Sequence, residues 1–245
     1  VRQVLAADPV VPADLLALAL RRDSARPFLT WYQPATGARV ELSVLTFATW
    51  VAKTCGLLTD ELDVTPDDVV AIRLPAHWLG PVWAQSVWTV GARLRLPGDD
   101  GDEVARVVVR DAEEPAEQDA QARDLVVVRT APLGGPAGTA APSGALDYGR
   151  EVPGQPDRFA PLGPPGPAVL DDDLLEQARH RARAAGPRAR TLVVGERFDR
   201  DVLLDALLVP LLLDGSAVLV HGSPGPDGLT AIAAAERVEV TTGRS

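Results

Sequence analysis

The sequence predicts an α/β fold: a mostly parallel, doubly wound sheet with helices on both faces. Three observations predict it. Residues 69–74 (VVAIRL), 105–110 (ARVVVR) and 216–221 (SAVLVH) are short runs rich in Val, Ile and Leu. Such runs suit strands buried on both faces, the usual condition of a parallel sheet. Between strands lie longer segments, such as 44–62 and 201–213, whose apolar residues recur at helical spacing. Strands that alternate with helices place the crossover helices on the two faces of the sheet.

Each element has a local reason. PADLLALALRR (12–22) forms a short amphipathic helix. FLTWYQ (28–33) and ARVELS (38–43) flank PATG, which has turn chemistry, so the pair reads as a β-hairpin. Ser43 is a good N-cap, and Val44, Ala48, Val51, Ala52, Cys55, Leu58 and Leu62 then follow a helical period. TPDD turns the chain into strand 69–74, which Pro75 ends. Residues 79–90 predict a helix that Gly91 stops. Strands follow over 93–96, 105–110 and 124–130, with a polar helical segment at 112–122. Residues 131–168 carry many Pro and Gly and sustain no period, so they read as a long surface connection. Helix 172–185, strand 190–195, helix 201–213, strand 216–221, helix 227–235 and strand 238–242 complete the pattern. Residues 1–245 are read as a single α/β domain, with lobes 1–130 and 169–245 joined by the connection 131–168.

The totals exclude several function classes. The net charge is −10, whereas nucleic-acid and anionic-membrane binding need a basic surface. Neither partner is expected. The single cysteine, Cys55, falls in an apolar helical pattern and reads as a buried structural thiol, with no disulfide or cysteine metal cluster. No apolar run reaches the length of a membrane span. The apolar stretch 10–20 is broken by Pro12 and Asp14 and has no basic segment before it, so a signal peptide is not expected and a cytoplasmic location is.

Two stretches carry more than a generic α/β pattern. Residues 26–92 centre on DDVVAIRLP, Asp67 to Pro75, followed by a helix ending in Gly91 and Ala92. Residues 190–222 run strand, helix, a turn containing Pro210, Leu211, Leu212 and Gly215, and strand; residues 229–243 add another helix and strand. Together these resemble the N-terminal portion of the adenylate-forming superfamily, the acyl-CoA synthetases, AMP-binding enzymes and luciferases. More particularly, the chain looks like a short, degenerate actinobacterial family of adenylation-domain-like proteins. The resemblance implies the first part of that superfamily's N-terminal domain.

The same resemblance shows what has changed. The superfamily's phosphate loop is rich in Ser, Thr and Gly and ends near a Lys. By chain order it falls at 159–170, where this sequence reads FAPLGPPGPAVL. No Ser, Thr or Lys is present, and Pro161, Pro164, Pro165 and Pro167 each remove a backbone N–H of the kind that cradles phosphate. Asp171, Asp172 and Asp173 then open a helix, where carboxylates suit the dipole and cap but would repel a triphosphate. Phe198 stands where the superfamily often has a His. The superfamily's adenine, ribose and magnesium motifs are expected beyond residue 243, and Lys53 matches none of its roles.

Other constellations are weaker. Adjacent residues diverge around a helix, so Asp171–Asp173 read as cap rather than metal ligands. RHRAR (179–183) sits late in a helix, where cations suit the dipole. GGPAG (134–138) lacks dinucleotide-loop spacing. His180 and His221 show no metal spacing with His77. His77 and Trp78 follow strand 69–74, at the end of an open sheet where ligands bind, and are the tentative pocket residues. No catalytic, metal or cofactor-binding residue is assigned, and no cofactor is expected. The leading expectation is a truncated, non-catalytic binding or interaction module that pairs with itself or with another protein. The alternatives are an adenylate-forming or nucleotide-binding enzyme acting on a carboxylic acid, completed by a partner chain, and a small-molecule sensor.

Overall fold

The computed structural model describes residues 10–99, 103–114, 122–160, 168 and 170–242. Helix α1 (Pro12–Asp23) has Pro at its start and buries Leu15, Leu16 and Ala19. Strands β1 (Pro27–Gln33) and β2 (Ala38–Ser43) form the expected hairpin, with Gly37 at φ +71° in its turn. That angle is costly for residues with a Cβ and free for Gly. Ser43 caps α2 (Val44–Gly56), its Oγ accepting from the Thr46 N–H at 3.1 Å. A π turn over Leu57–Glu61 continues the helix.

Strand β3 (Val69–Arg73) leads to α3 (Leu79–Thr89), then β4 (Arg93–Arg95), β5 (Ala105–Asp111) and β6 (Ala122–Val128). After β7 (Leu146–Asp147) and the single turn α4 (Tyr148–Glu151) come α5 (Asp172–Ala185) and β8 (Arg190–Gly195). The segment expected as one helix over 201–213 is α6 (Arg200–Leu203), a π turn (Leu204–Leu208) and α7 (Val209–Leu213). Pro210 explains the interruption. It has no N–H, and its ring would collide with the carbonyl one turn back, so the helix widens just before it. Strand β9 (Ser216–His221), α8 (Pro226–Ala235) and β10 (Val240–Thr242) complete the described chain.

The fold class is the α/β, mostly parallel one that the apolar runs predict, but the strands form two sheets. One has the order β10-β8-β9-β1-β2 and is parallel except for β2. The other, β4-β3-β5-β6-β7, is parallel throughout. Sheet membership does not follow chain order: β1 pairs with β9, so the hairpin from the start of the chain completes the sheet built by its end. One apolar core fills the space between the inner faces and includes α3 and α7. Every residue of α3 from Leu79 to Trp88 is buried, the mark of a helix between two sheets rather than on one. Leu229 and Ile232 of α8 cover the outer face of the first sheet over Leu192, Val218 and Val220.

Two expectations need correction. Residues 131–168 are not only a surface connection: β7 extends the second sheet, and Tyr148 is buried, its hydroxyl 2.7 Å from Thr54 Oγ1 and its ring 5.1 Å from Trp83. A two-residue strand and one aromatic anchor leave no periodicity to read. The helix expected at 112–122 is not seen where the chain is described: residues 112–114 turn and residue 122 opens β6, while 115–121 lie outside the described residues. No described helix is long and apolar enough to cross a membrane.

The end of α8 is held by charge. Glu236 accepts from Tyr32 Oη at 2.6 Å, Arg39 Nε at 2.9 Å and Arg190 Nη2, so one carboxylate joins β1, β2 and β8. Burial alone would raise its pKa. The hydrogen bonds from Arg39, Tyr32 and Arg190 outweigh that effect and hold it at about 2. A carboxyl depressed in the folded state adds stability above its unfolded pKa, and that stability is lost as pH falls through the folded value. The melting temperature is therefore expected to fall with acid between about pH 4.5 and about 2. Glu236→Gln should flatten this slope while lowering the melting temperature at neutral pH, as read by circular dichroism.

Candidate functional site

In open α/β sheets, ligands bind beyond the carboxyl ends of the strands. Here the carboxyl ends of β3 and β8 face each other across the two sheets, and the loops that leave them are bonded together. Phe198 N donates to the Leu74 carbonyl at 2.9 Å, Ala76 N donates to the Glu196 carbonyl at 3.1 Å, and Pro75 and Arg197 form an antiparallel bridge. Phe198 is fully buried, and its ring packs onto α3 at Gly80. A Cβ at Gly80 would stand 2.5 Å from that ring, so Gly is what lets the two meet.

His77 and Trp78 sit on this junction, at the positions expected beyond β3, and both are 1% exposed. The Trp31 ring lies edge-on to His77 at 4.4 Å, and Trp31 Nε1 donates to the Ala76 carbonyl at 2.9 Å. Trp78 packs on Trp50 at 5.1 Å and donates from Nε1 to the Pro132 carbonyl at 2.9 Å. His77 Nδ1 accepts from the Leu79 N–H at 3.3 Å, which puts the ring proton on Nε2. That nitrogen is buried and makes no hydrogen bond of good geometry. Burial holds the His77 pKa at about 3; the nearby His221 pushes the same way and the Ala131 backbone opposes. The imidazole is thus neutral.

Sequence spacing gave no reason to join His77 and His221. In the structure His221 lies close enough to bias the His77 ring electrostatically; it ends β9, is half-buried, and its Nδ1 is buried without a partner. The signal in the sequence was that each stands at or just beyond the end of an apolar strand. His180 lies exposed on α5. Cys55 is buried with its Sγ 3.7 Å from the Ser86 carbonyl, and burial pushes the thiol up to about 12. Lys53 Nζ serves the loop after α4, donating to the carbonyls of Pro153 and Gln155 and pairing with Asp157 at 2.9 Å.

Residues 161–167 and 169 of the phosphate-loop segment lie outside the described residues. Its downstream flank is described. Asp171 caps α5, Oδ1 accepting from the Leu174 N–H at 2.7 Å, and Asp173 pairs with Arg200. Arg181 of RHRAR pairs with Asp205 at 2.8 Å and with Asp201. In GGPAG, the Ala137 and Gly138 N–H groups donate to Asp147 at 3.0 and 3.1 Å. Among the described residues, no group of three or more His, Cys, Asp or Glu is arranged to hold a metal ion.

No family model matches the chain. It is 36% identical over 230 residues to a TIGR03089 family protein of Mycobacterium tuberculosis, covering 89% of this chain and 92% of that protein. The chain belongs to the TIGR03089 family. Its fold is similar to that of solved acyl-CoA synthetases. The Brucella canis acyl-CoA synthetase superposes with a TM-score of 0.76 at 16% identity, over 99% of this chain and 50% of that one. Acetoacetyl-CoA synthetase from Streptomyces lividans gives 0.70 at 16% identity, over 96% and 42%. This TIGR03089 chain therefore spans half or less of the synthetases it matches, in the region of their N-terminal domain, and the likeness is one of fold.

In this family member, a buried base with a depressed pKa adds stability above its unfolded value, lost as pH falls. His77→Phe is expected to remove an acid-destabilisation slope between about pH 6.5 and about 3, read from melting temperature against pH. A slope unchanged in this variant would show that His77 is already protonated or exposed in the native fold.

Proposed function

We propose that this chain is a non-catalytic, AMP-binding-enzyme-like protein that acts as a binding or interaction module. One observation carries the reading. The place where an α/β scaffold offers its ligand crevice, beyond the carboxyl ends of β3 and β8, is bridged by backbone hydrogen bonds from Leu74 to Ala76, with Phe198 buried against α3. Trp31, His77 and Trp78 pack beside it and are each buried.

The sequence supports the same reading from the other side. Phosphate binding needs converging N–H groups and a cation. FAPLGPPGPAVL supplies four prolines in place of donors, and no Lys. Downstream, Asp171 already satisfies the helix start that would otherwise face an anion. Interaction with a protein is supported by the sheet edges. Among the described strands, β2 and β10 each have one paired side, as do β4 and β7. Such edges invite pairing with another chain.

Titration calorimetry with ATP and Mg²⁺ tests the reading, together with ATP–pyrophosphate exchange over a panel of carboxylic acids. No saturable heat and no exchange are expected. Exchange that disappears on substituting residues in 159–173 would establish the enzyme instead. Light scattering at high concentration is expected to give a mass above that of the monomer; a stable monomer would remove self-pairing and leave a different protein as the partner.

A further inference from the structure

We propose that β2 is the docking edge of a symmetric dimer: it pairs antiparallel with β2 of a second copy of this chain, with the two-fold axis at Val40. The proposal rests on the reading of the chain as an interaction module and names the partner, the edge and the register. Among the described strands with one unpaired side, β10 and β4 are three residues long and β7 is two, whereas β2 runs for six. Long edges are normally protected by Pro, by a bulge or by a covering element. β2 has no Pro, its pairing with β1 is regular from Ala38 to Leu42, and Arg39 and Glu41 stay exposed on it.

The hairpin decides which backbone groups this edge offers. In an antiparallel pair, alternate residues turn both N–H and C=O to the neighbouring strand, and the residues between turn both away. Gln33 and Ala38 are the last pair of the β1–β2 ladder before the turn, and the next residue, Pro34, has no N–H. No bond donated by residue 34 closes the ladder, so Gln33 and Ala38 exchange the bonds themselves. Along the same register Trp31 and Val40 do likewise, and Arg39 and Glu41 turn their N–H and C=O groups to the open side.

An axis at Val40 sets Arg39 opposite Glu41 of the second copy, and Glu41 opposite its Arg39. Each pair exchanges backbone bonds in both directions. The side chains agree with the backbone. Arg39 gives Nε to Tyr32 and Glu236 and Nη2 to Glu41, which leaves Nη1. Glu41 accepts from Thr30 and Arg39 at Oε2, which leaves Oε1. The spare Nη1 and Oε1 pair across the axis, while Val40 lies on the core side of the sheet. The bond to Glu236 already holds the Arg39 guanidinium before a second copy arrives. An axis moved by one residue sets Arg39 against Arg39 or Glu41 against Glu41, and like charges directly opposite destabilise a sheet. Moved by two, it sets one of these residues against the turn or the start of α2. The charges therefore select one register, which joins two five-stranded sheets into one.

The test uses the full chain, by analytical ultracentrifugation over a concentration series. Wild type is expected to show a monomer–dimer equilibrium and nothing larger, because a two-fold contact closes on itself. Arg39→Glu and Glu41→Arg should each weaken self-association at least about tenfold, since like charges then face each other across the axis. Mixing the two variants should restore the dimer, because one copy then presents two acids and the other two bases. Arg39→Glu also gives up the bond to Glu236, so Glu41→Pro is a second probe. The N–H it removes faces the open edge, so circular dichroism should show the fold kept while the dimer is lost. Val40→Cys should form a disulfide-linked dimer on oxidation and Ala38→Cys should not, since only the residue on the axis meets its own copy; the native Cys55 is buried. The proposal is overturned if wild type stays monomeric, if the dimer survives Glu41→Pro, if the two charge variants, both folded, fail to associate when mixed, or if Ala38→Cys cross-links in place of Val40→Cys. A dimer indifferent to every edge variant would overturn this edge alone and leave the interaction-module reading standing. ATP–pyrophosphate exchange would overturn the non-catalytic reading and leave the β2 dimer standing.

Discussion

Helix α3 has no solvent face. From Leu79 to Trp88 every residue is buried, so the helix must find apolar partners in all directions. A single sheet covers one side of a helix; two are needed to enclose it. The arrangement of strands into two five-stranded sheets follows from that demand, and so does a core that draws on both ends of the chain. The enclosure has a polar cost. Trp83 Nε1 and both amide atoms of Gln85 are buried with no partner, a desolvation penalty that the packing of the helix must exceed.

The junction beyond β3 and β8 depends on the same helix. Gly80 allows the Phe198 ring to lie against α3, and the ring's backbone is bonded to Leu74. One short stretch therefore packs the central helix and ties the two sheets at their carboxyl ends. A fold that elsewhere belongs to synthetases about twice as long uses this position for cohesion. The same geometry isolates His77: its Nδ1 is fixed by the first turn of α3, and burial keeps the ring neutral.

Local chemistry was legible in the sequence wherever it is also local in space. Ser43 and Asp171 cap the helices they were expected to cap, each within three residues of its partner. The span of α5 and the start of α3 match their periodic patterns, because amphipathic spacing and stop signals act over one or two turns. The π turn before Pro210 was missed although its cause was in view, since a proline in a helical pattern signals a break without saying how the chain absorbs it. Tyr148 was missed because nothing within reach along the chain marks it; Thr54 and Trp83 do so from other elements.

By itself, the sequence determined most of the helices and strands, the mostly parallel α/β class, and the lack of phosphate-binding residue types at 159–170. These depend on backbone preferences and on residue identity, which neighbours along the chain decide. The tertiary structure decided that the strands form two sheets, that β1 joins β9, and that the loops after β3 and β8 are bonded together. Those are contacts between residues far apart in the chain. They are selected by which apolar faces can be covered at once, a condition no single segment carries.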